Sequence, residues 1–267
     1  MHNILGLRCS YWRKRSVCRR ITTTILLFTC VQSWAGEYAV HVGPNGYAPY
    51  AIVERNGSDV RYHGVIFDFL DAFESANPEF KRKHALLTRK RANIKMENGE
   101  DIDLMFNSPL FVSDAIRKHY KFTDPLFTTK DVVVTHKNNK ISYQQPQDLY
   151  GKSIGTIRGY SYGKFDRLIK NGLITDMRVD HHIQAIGMLE KGRIDAYFGN
   201  IFVSPHYIKQ LGLKVSDFTF SDVPMYEFEF AFAVKKDKPA LFKKLNDFLA
   251  ATKIDGSLEV LINNYIE

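Results

Sequence analysis

The sequence of 267 residues predicts an α/β protein in two similar lobes, each a mixed, mostly parallel sheet flanked by helices, with two extended strands crossing between them. Three features carry this. The segment IKMENGEDIDLMF (residues 94–106) is weakly repeated 92 residues later as IGMLEKGRIDAYF (186–198). Strand-like and helix-like stretches alternate upstream of each copy, which is the pattern of parallel sheets. Two apolar, β-rich segments, 127–135 and 225–234, lie on either side of the second copy.

Taken in order, residues 38–42 read as a strand and 65–73 as the helix that follows it. In each repeat copy a helix stops at a glycine, Gly99 or Gly192, where the chain needs a left-handed residue, and an apolar strand follows. In the second half 153–157 is the strand and 161–169 the helix. Asp180 is placed to cap the next helix, whose apolar stripe is Ile183, Ile186 and Leu189. The adjacent His181 and His182 diverge by about 100° on that helix and have no third ligand nearby, so they read as a solvated first turn rather than a metal site. In the second crossing Phe228, Phe230 and Phe232 alternate with Glu227 and Glu229, the period of a strand with one buried face. Paired crossings make a hinge. Two further strands of a single domain would show the same periodicity.

Residues 1–35 carry Arg8, Arg13, Lys14, Arg15, Arg19 and Arg20 and no acid, then the apolar run 21–31 and the small-x-small ending Ser33-Trp34-Ala35. This is the pattern of a cleavable secretory signal, with cleavage expected near Ala35 and a periplasmic destination. The apolar run is too short and too rich in threonine for a spanning helix, which takes roughly 20 apolar residues. The flanks of Arg19-Arg20 do not fit a twin-arginine signal, and Thr29 before Cys30 does not suit lipid attachment. Cys9, Cys18 and Cys30 all fall in this segment, so the remaining 232 residues offer no disulfide, zinc-binding or nucleophilic cysteine. Losing the segment also leaves 31 basic against 29 acidic residues, so the full chain's +8 gives no support for nucleic-acid binding.

Six motifs then fall in the order of one known family. IRKHYKFTDPLF (116–127) resembles the arginine-then-"FSDPYY" signature of the family 3 periplasmic solute-binding proteins, amino-acid ABC transporter type, and NGYAPY (45–50) resembles their first ligand loop. GVIFDFL (64–70), DLYGK (148–152), GRIDA (192–196) and the C-terminal helices at 245–265 resemble further segments, so the likeness covers almost the whole chain after residue 35. It implies the type II periplasmic-binding fold, with lobe one at 36–130 plus 230–267 and lobe two at 131–229.

The resemblance also implies a ligand site. A carboxylate entering a cleft needs a planar, permanently charged donor fork, which arginine supplies. Arg117 takes the place of the family's carboxylate-binding arginine, although it stands one residue nearer the phenylalanine than usual. Gly159, Tyr160 and Ser161 stand where the family uses a helix start as a second carboxylate handle, with a tyrosine in place of the usual threonine. Tyr47 resembles the aromatic that packs on the ligand, Asn107 and Ser108 follow the first-lobe strand where polar contacts are placed, and Arg91, in an "R-A" pair typical of one branch, adds positive charge. Asn200 stands where amino-acid-binding members carry the aspartate that pairs with the α-ammonium. An amide cannot neutralise that charge, which should weaken recognition of ordinary α-amino acids, so the ligand expected is a small carboxylate, an amino acid or a related acid, with acids lacking a free α-amine among the candidates, unless another acid such as Glu227 or Glu229 replaces the charge.

The function implied is capture of a small carboxylate and delivery to an ABC-type permease by a monomeric, cofactor-free protein. A membrane sensor as partner is the first alternative. The second is an enzyme resembling cyclohexadienyl dehydratases, for which Glu227, Glu229 and His206 are the free acid candidates. No Ser-His-Asp arrangement, metal-ligand spacing or P-loop glycine motif supports other chemistry.

Overall fold

The computed structural model describes residues 36–266; the signal segment, its cysteines and the cleavage point expected near Ala35 lie outside the described residues. The first half contains β1 (Gly36–Val42), a hairpin of β2 (Ile52–Asn56) and β3 (Asp59–His63), α1 (Val65–Ala76), β4 (Phe80–Leu86), α2 (Arg89–Asn98), β5 (Leu104–Asn107), α3 (Asp114–His119) and β6 (Tyr120–Phe122). The long strand β7 (Phe127–His136) leads to β8 (Ser153–Ile157), α4 (Lys164–Lys170), β9 (Thr175–Val179), α5 (His182–Glu190), β10 (Ala196–Asn200), α6 (Val203–Gln210) and β11 (Phe218–Phe220). A second long strand, β12 (Tyr226–Lys235), returns, followed by α7 (Pro239–Ile254) and α8 (Ser257–Ile266).

The strands form a mixed sheet in the order β4-β1-β5-β12-β7-β10-β8-β9, with β6 against β12 and β11 against β7. Both halves have one plan. β4, β1 and β5 run parallel and meet antiparallel β12, with Phe106 opposite Phe232. β9, β8 and β10 run parallel and meet antiparallel β7, with Phe198 opposite Val133. The two long strands then pair with each other, Phe228 opposite Thr129.

The repeated aspartates explain part of the sequence repeat. Asp103 Oδ2 accepts from Ala39 N on β1 at 2.8 Å while Asp103 N donates to Ala39 O at 2.8 Å. Asp195 Oδ2 accepts from Ser153 N on β8 at 2.8 Å while Asp195 N donates to Ser153 O at 2.9 Å. Each copy therefore ties the entry of its last parallel strand to its first, satisfying backbone groups that the sheet leaves free. Gly99 stops α2 with φ 71°, and a Cβ there would come within 2.7 Å of His119 Nδ1, so no other residue type fits without strain. α1 turns Val65, Ile66, Phe69, Leu70 and Phe73 into the core; burying each contributes roughly 1.5–3 kcal/mol.

Two element boundaries differ from expectation. The helix expected at 161–169 begins at Lys164, because Asp166 draws the preceding turn out of the helix: its Oδ2 accepts from Tyr162 N at 2.9 Å and Ser161 Oγ at 3.1 Å. The cap of α5 is His181 rather than Asp180. Gln184 reaches back to His181 N at 3.1 Å and completes a capping box, while Asp180 pairs with Arg158 at 2.7 Å.

Candidate functional site

A cavity of about 530 Å³ opens where the C-terminal ends of β1, β5, β8 and β10 converge, the place where open α/β sheets receive ligands. Its walls come from the loop after β1, the first turn of α2, the segment between β8 and α4, the start of α5, and the inner faces of β7 and β12. Much of the wall is aromatic. Tyr47 lies 5.5 Å from Tyr50 and from His182 and edge-on to Tyr160 at 6.2 Å, and Phe106 stacks on Phe230 at 4.3 Å.

The positive pole is Arg89, the first residue of α2. One Nη donates to Asn107 Oδ1 at 2.8 Å, the guanidinium carbon stands 5.5 Å from the Tyr160 ring centre, and the buried Nε has no partner. Among the described residues no carboxylate pairs with this guanidinium. Burial lowers its pKa, yet a guanidinium stays charged, so the cavity holds a cation without a counter-ion. α2 opens on Arg89, Lys90 and Arg91 with no acid in the turn, against the positive end of the helix dipole. That unfavourable placement is the sequence signal that could have singled out Arg89.

The negative pole is Asp131 on β7, opposite Asn200 on β10 and Tyr226 on β12. Its Oδ1 accepts from Asn200 Nδ2 at 3.1 Å, and burial raises its pKa to about 6. Asn200 is 2% exposed and mainly ties the structure together: its Nδ2 also reaches Thr129 Oγ1 at 3.0 Å and Lys130 O at 3.1 Å, and its Oδ1 accepts from Phe202 N at 3.1 Å. The sequence reading missed Asp131; the signal that could have found it is a charge sharing one face of an apolar strand with Phe127 and Thr129 while Thr128 and Lys130 face out.

Of the residues the sequence pointed to, Tyr47, Arg91, Asn107, Tyr160, Ser161 and Asn200 line this cavity. Gly159 lies beside it with φ 85°, its carbonyl accepting from Asn93 Nδ2 at 3.2 Å; it belongs to a turn, not a helix start. Ser108 and Arg117 are not brought in: they line a separate open depression with Glu227 and Glu229. Ser108 Oγ caps a single turn by accepting from Leu110 N at 3.2 Å, and Arg117 donates to Pro109 O and stands 3.9 Å from Asp114. Glu227 and Glu229 lie on the outer face of β12, Glu227 pairing with Lys130 at 3.4 Å, so neither supplies charge to the cavity.

The histidine pair is also not the solvated turn expected. His182 is 4% exposed, bonded through Nδ1 to the Tyr197 hydroxyl and stacked on Tyr207 at 5.3 Å. Burial, reinforced by His181, pushes its pKa down to about 3, so it is a neutral part of the wall. The core side of the helix needs a residue at this position, and the ring fills it. Among the described residues no group of three or more His, Cys, Asp or Glu could hold a metal ion, and no helix is long and apolar enough to cross a membrane.

Comparison with known proteins bears on this arrangement. The family model described as bacterial extracellular solute-binding proteins, family 3, matches residues 40–267. ABC transporter arginine-binding protein 1 of Escherichia coli (strain K12) is 30% identical over 151 residues, 55% of this chain and 60% of that protein. The chain thus spans about 60% of the length of the first curated relatives it matches. A probable histidine-binding protein of Neisseria gonorrhoeae is 27% identical over 222 residues, 82% of this chain and 79% of that one. Among solved structures, an ancestral arginine-binding protein bound to arginine superposes with a TM-score of 0.70 at 21% identity, covering 87% of this chain and 99% of that one, a likeness of fold.

Proposed function

The chain belongs to the bacterial extracellular solute-binding proteins of family 3, with the type II periplasmic-binding fold, and on that premise we propose that it captures a small carboxylate-bearing solute, an amino acid or a related acid, and hands it to an ABC-type permease. The observation that carries this is Arg89, an arginine without a carboxylate partner in an aromatic-walled cavity at the strand ends. A buried cation is costly unless paired, and a ligand carboxylate supplies the pair with bidentate geometry. The relatives named for arginine and histidine binding support an amino acid as the solute. In this reading residues 1–35 direct the chain to the periplasm, 36–130 with 230–267 and 131–229 form the two lobes, and β7 and β12 are the hinge that closes them on the solute.

The test is isothermal calorimetry of the purified protein against amino acids, dicarboxylates and amine-free carboxylates. At least one carboxylate should bind, and Arg89→Met should weaken it by at least about 30-fold, because losing one partner of a buried charge pair costs about 2–5 kcal/mol. Silence across the panel, or binding indifferent to Arg89, overturns the proposal. Asp131 is the one feature that favours an enzymatic reading, since a cavity carboxyl with a raised pKa can act as a general acid. Turnover of prephenate or arogenate by the same preparation would put that reading first.

A further inference from the structure

We propose that Asn56 is a site of spontaneous covalent modification: of the chain's four Asn-Gly pairs the fold leaves this one open, and its side-chain amide converts to aspartate and isoaspartate while the other three persist.

The four pairs are Asn45-Gly46, Asn56-Gly57, Asn98-Gly99 and Asn171-Gly172. In such a pair the glycine nitrogen can attack Cγ of the asparagine, since glycine brings no Cβ against the path. The C–N bond of the side-chain amide breaks, its nitrogen leaves as ammonia with the proton from the glycine N–H, and a succinimide ring closes. Water then adds to one of the two ring carbonyls, giving aspartate or, through the other, isoaspartate. The step needs a glycine N–H that is free and a backbone that can swing.

Three of the pairs lack both. Gly46 N donates to Gly43 O at 3.0 Å, Gly99 N to Met96 O at 3.1 Å and Gly172 N to Ile169 O at 3.0 Å. Their surroundings hold them further: a Cβ at Gly46 would meet Ala51 O, one at Gly99 would meet His119, and Asn171 N is tied to Arg167 O at 3.0 Å at the end of α4. Gly57 differs on each count. It opens the two-residue loop Gly57-Ser58 between β2 and β3 with φ 61°, the left-handed first position of a tight hairpin turn. Among the described residues its N–H has no acceptor, a Cβ there would meet nothing within 4 Å, and Asn56, Gly57 and Ser58 are all exposed.

The position gives the change a consequence. Asn56 is paired directly with Asp59 across the hairpin, so the product sets one carboxylate opposite another, and like charges in that relation are destabilising. Isoaspartate also adds a methylene to the main chain and upsets the alternation of the strand behind it. The next residue, Arg55, donates from Nη2 to Pro44 O at 3.3 Å and braces the loop that carries Tyr47 into the cavity, so the modification begins where that brace is anchored.

The experiment ages the folded full protein in mildly alkaline buffer and follows all four pairs by peptide mapping with mass spectrometry, chromatography separating isoaspartate from aspartate. Asn56 should lose its amide at least about 5-fold faster than Asn45, Asn98 or Asn171, the factor set by the hydrogen bond that each of the others must first break. In urea, where no N–H is held, the four should react at comparable rates. Asn56→Gln, which would have to close a larger and slower ring, should abolish the early product, and melting curves establish that the variant folds. An Asn56 amide that persists in the folded protein, or an earlier reaction at any of the other three, overturns the inference. The same order of rates in urea overturns it as well, because neighbouring sequence and not the fold would then select the site.

Discussion

His182 puts an ionisable side chain where only its neutral form fits. The unfolded chain protonates this ring near pH 6.5, whereas in the fold burial, then His181, lowers its pKa to about 3. Between those values the unfolded state binds more protons, so folding stability falls as the pH drops from about 6.5. His41, lowered by burial and then by Arg89 to about 4, adds to the same slope. Asp131 acts in the opposite sense: burial raises its pKa to about 6, the folded state takes the proton first, and acidification from pH 6 towards 4 favours folding. His182→Gln removes only the first contribution. Urea titrations should show the difference between wild type and variant shrinking by roughly 1–2 kcal/mol from pH 7 to pH 5; a constant difference would mean that the buried ring is charged without penalty.

At the scale of elements, the repeated aspartates make the clearest case. Asp195 accepts from both Ser153 N at 2.8 Å and Ser153 Oγ at 2.7 Å, and Asp103 accepts from Ala39 N at 2.8 Å. Removing an acceptor while its donors stay partly buried costs about 1–3 kcal/mol. Asp195→Ala and Asp103→Ala should therefore each lower the unfolding free energy by that amount, seen as a lower urea midpoint at an unchanged m-value, and a loss below about 0.5 kcal/mol would show that water replaces the carboxylate. Burial works to raise the pKa of Asp195, but the bonds from Ser153 prevail and hold it low. Its share of the stability is thus present above the ordinary carboxylate range and is lost as the pH falls through the folded-state value.

For the whole molecule, the proposed closure has visible contacts. Ala48 N donates to the Tyr207 hydroxyl at 3.1 Å, joining the loop after β1 to α6, and Asn93 Nδ2 donates to Gly159 O at 3.2 Å, joining α2 to the turn after β8. A Cβ at Gly159 would come within 2.9 Å of Lys90 N, against backbone that cannot rotate away. Gly159→Ala should then penalise the closed form and weaken solute binding roughly 10-fold or more without touching a charged group. X-ray scattering should record a fall in radius of gyration when the solute is added to wild type and a smaller one for the variant. Equal scattering with and without a bound solute would remove the hinge from the account.

What could be read before the fold was known follows from periodicity and turn chemistry. The alternation of Phe228, Phe230 and Phe232 with Glu227 and Glu229 foretold β12, and Gly99 foretold the stop of α2, because such signals act within a few residues. The cavity's aromatic and polar walls were partly visible, since Tyr47, Asn107, Tyr160 and Asn200 follow strand ends. Of its charges Arg91 was expected there, whereas the signals at Arg89 and Asp131 are local and say nothing of a shared cavity. Arg117 and Glu227 carry the right groups but lie on outward faces, while Arg89 and Asp131 line one cavity because α2 leads into β5, and β5, β12, β7 and β10 follow one another in the sheet order. The linear sequence thus determined the elements, the two similar halves and the family. Which charges share a cavity was decided by the tertiary structure alone, since electrostatic pairing depends on distance and burial across strands that lie far apart in the chain.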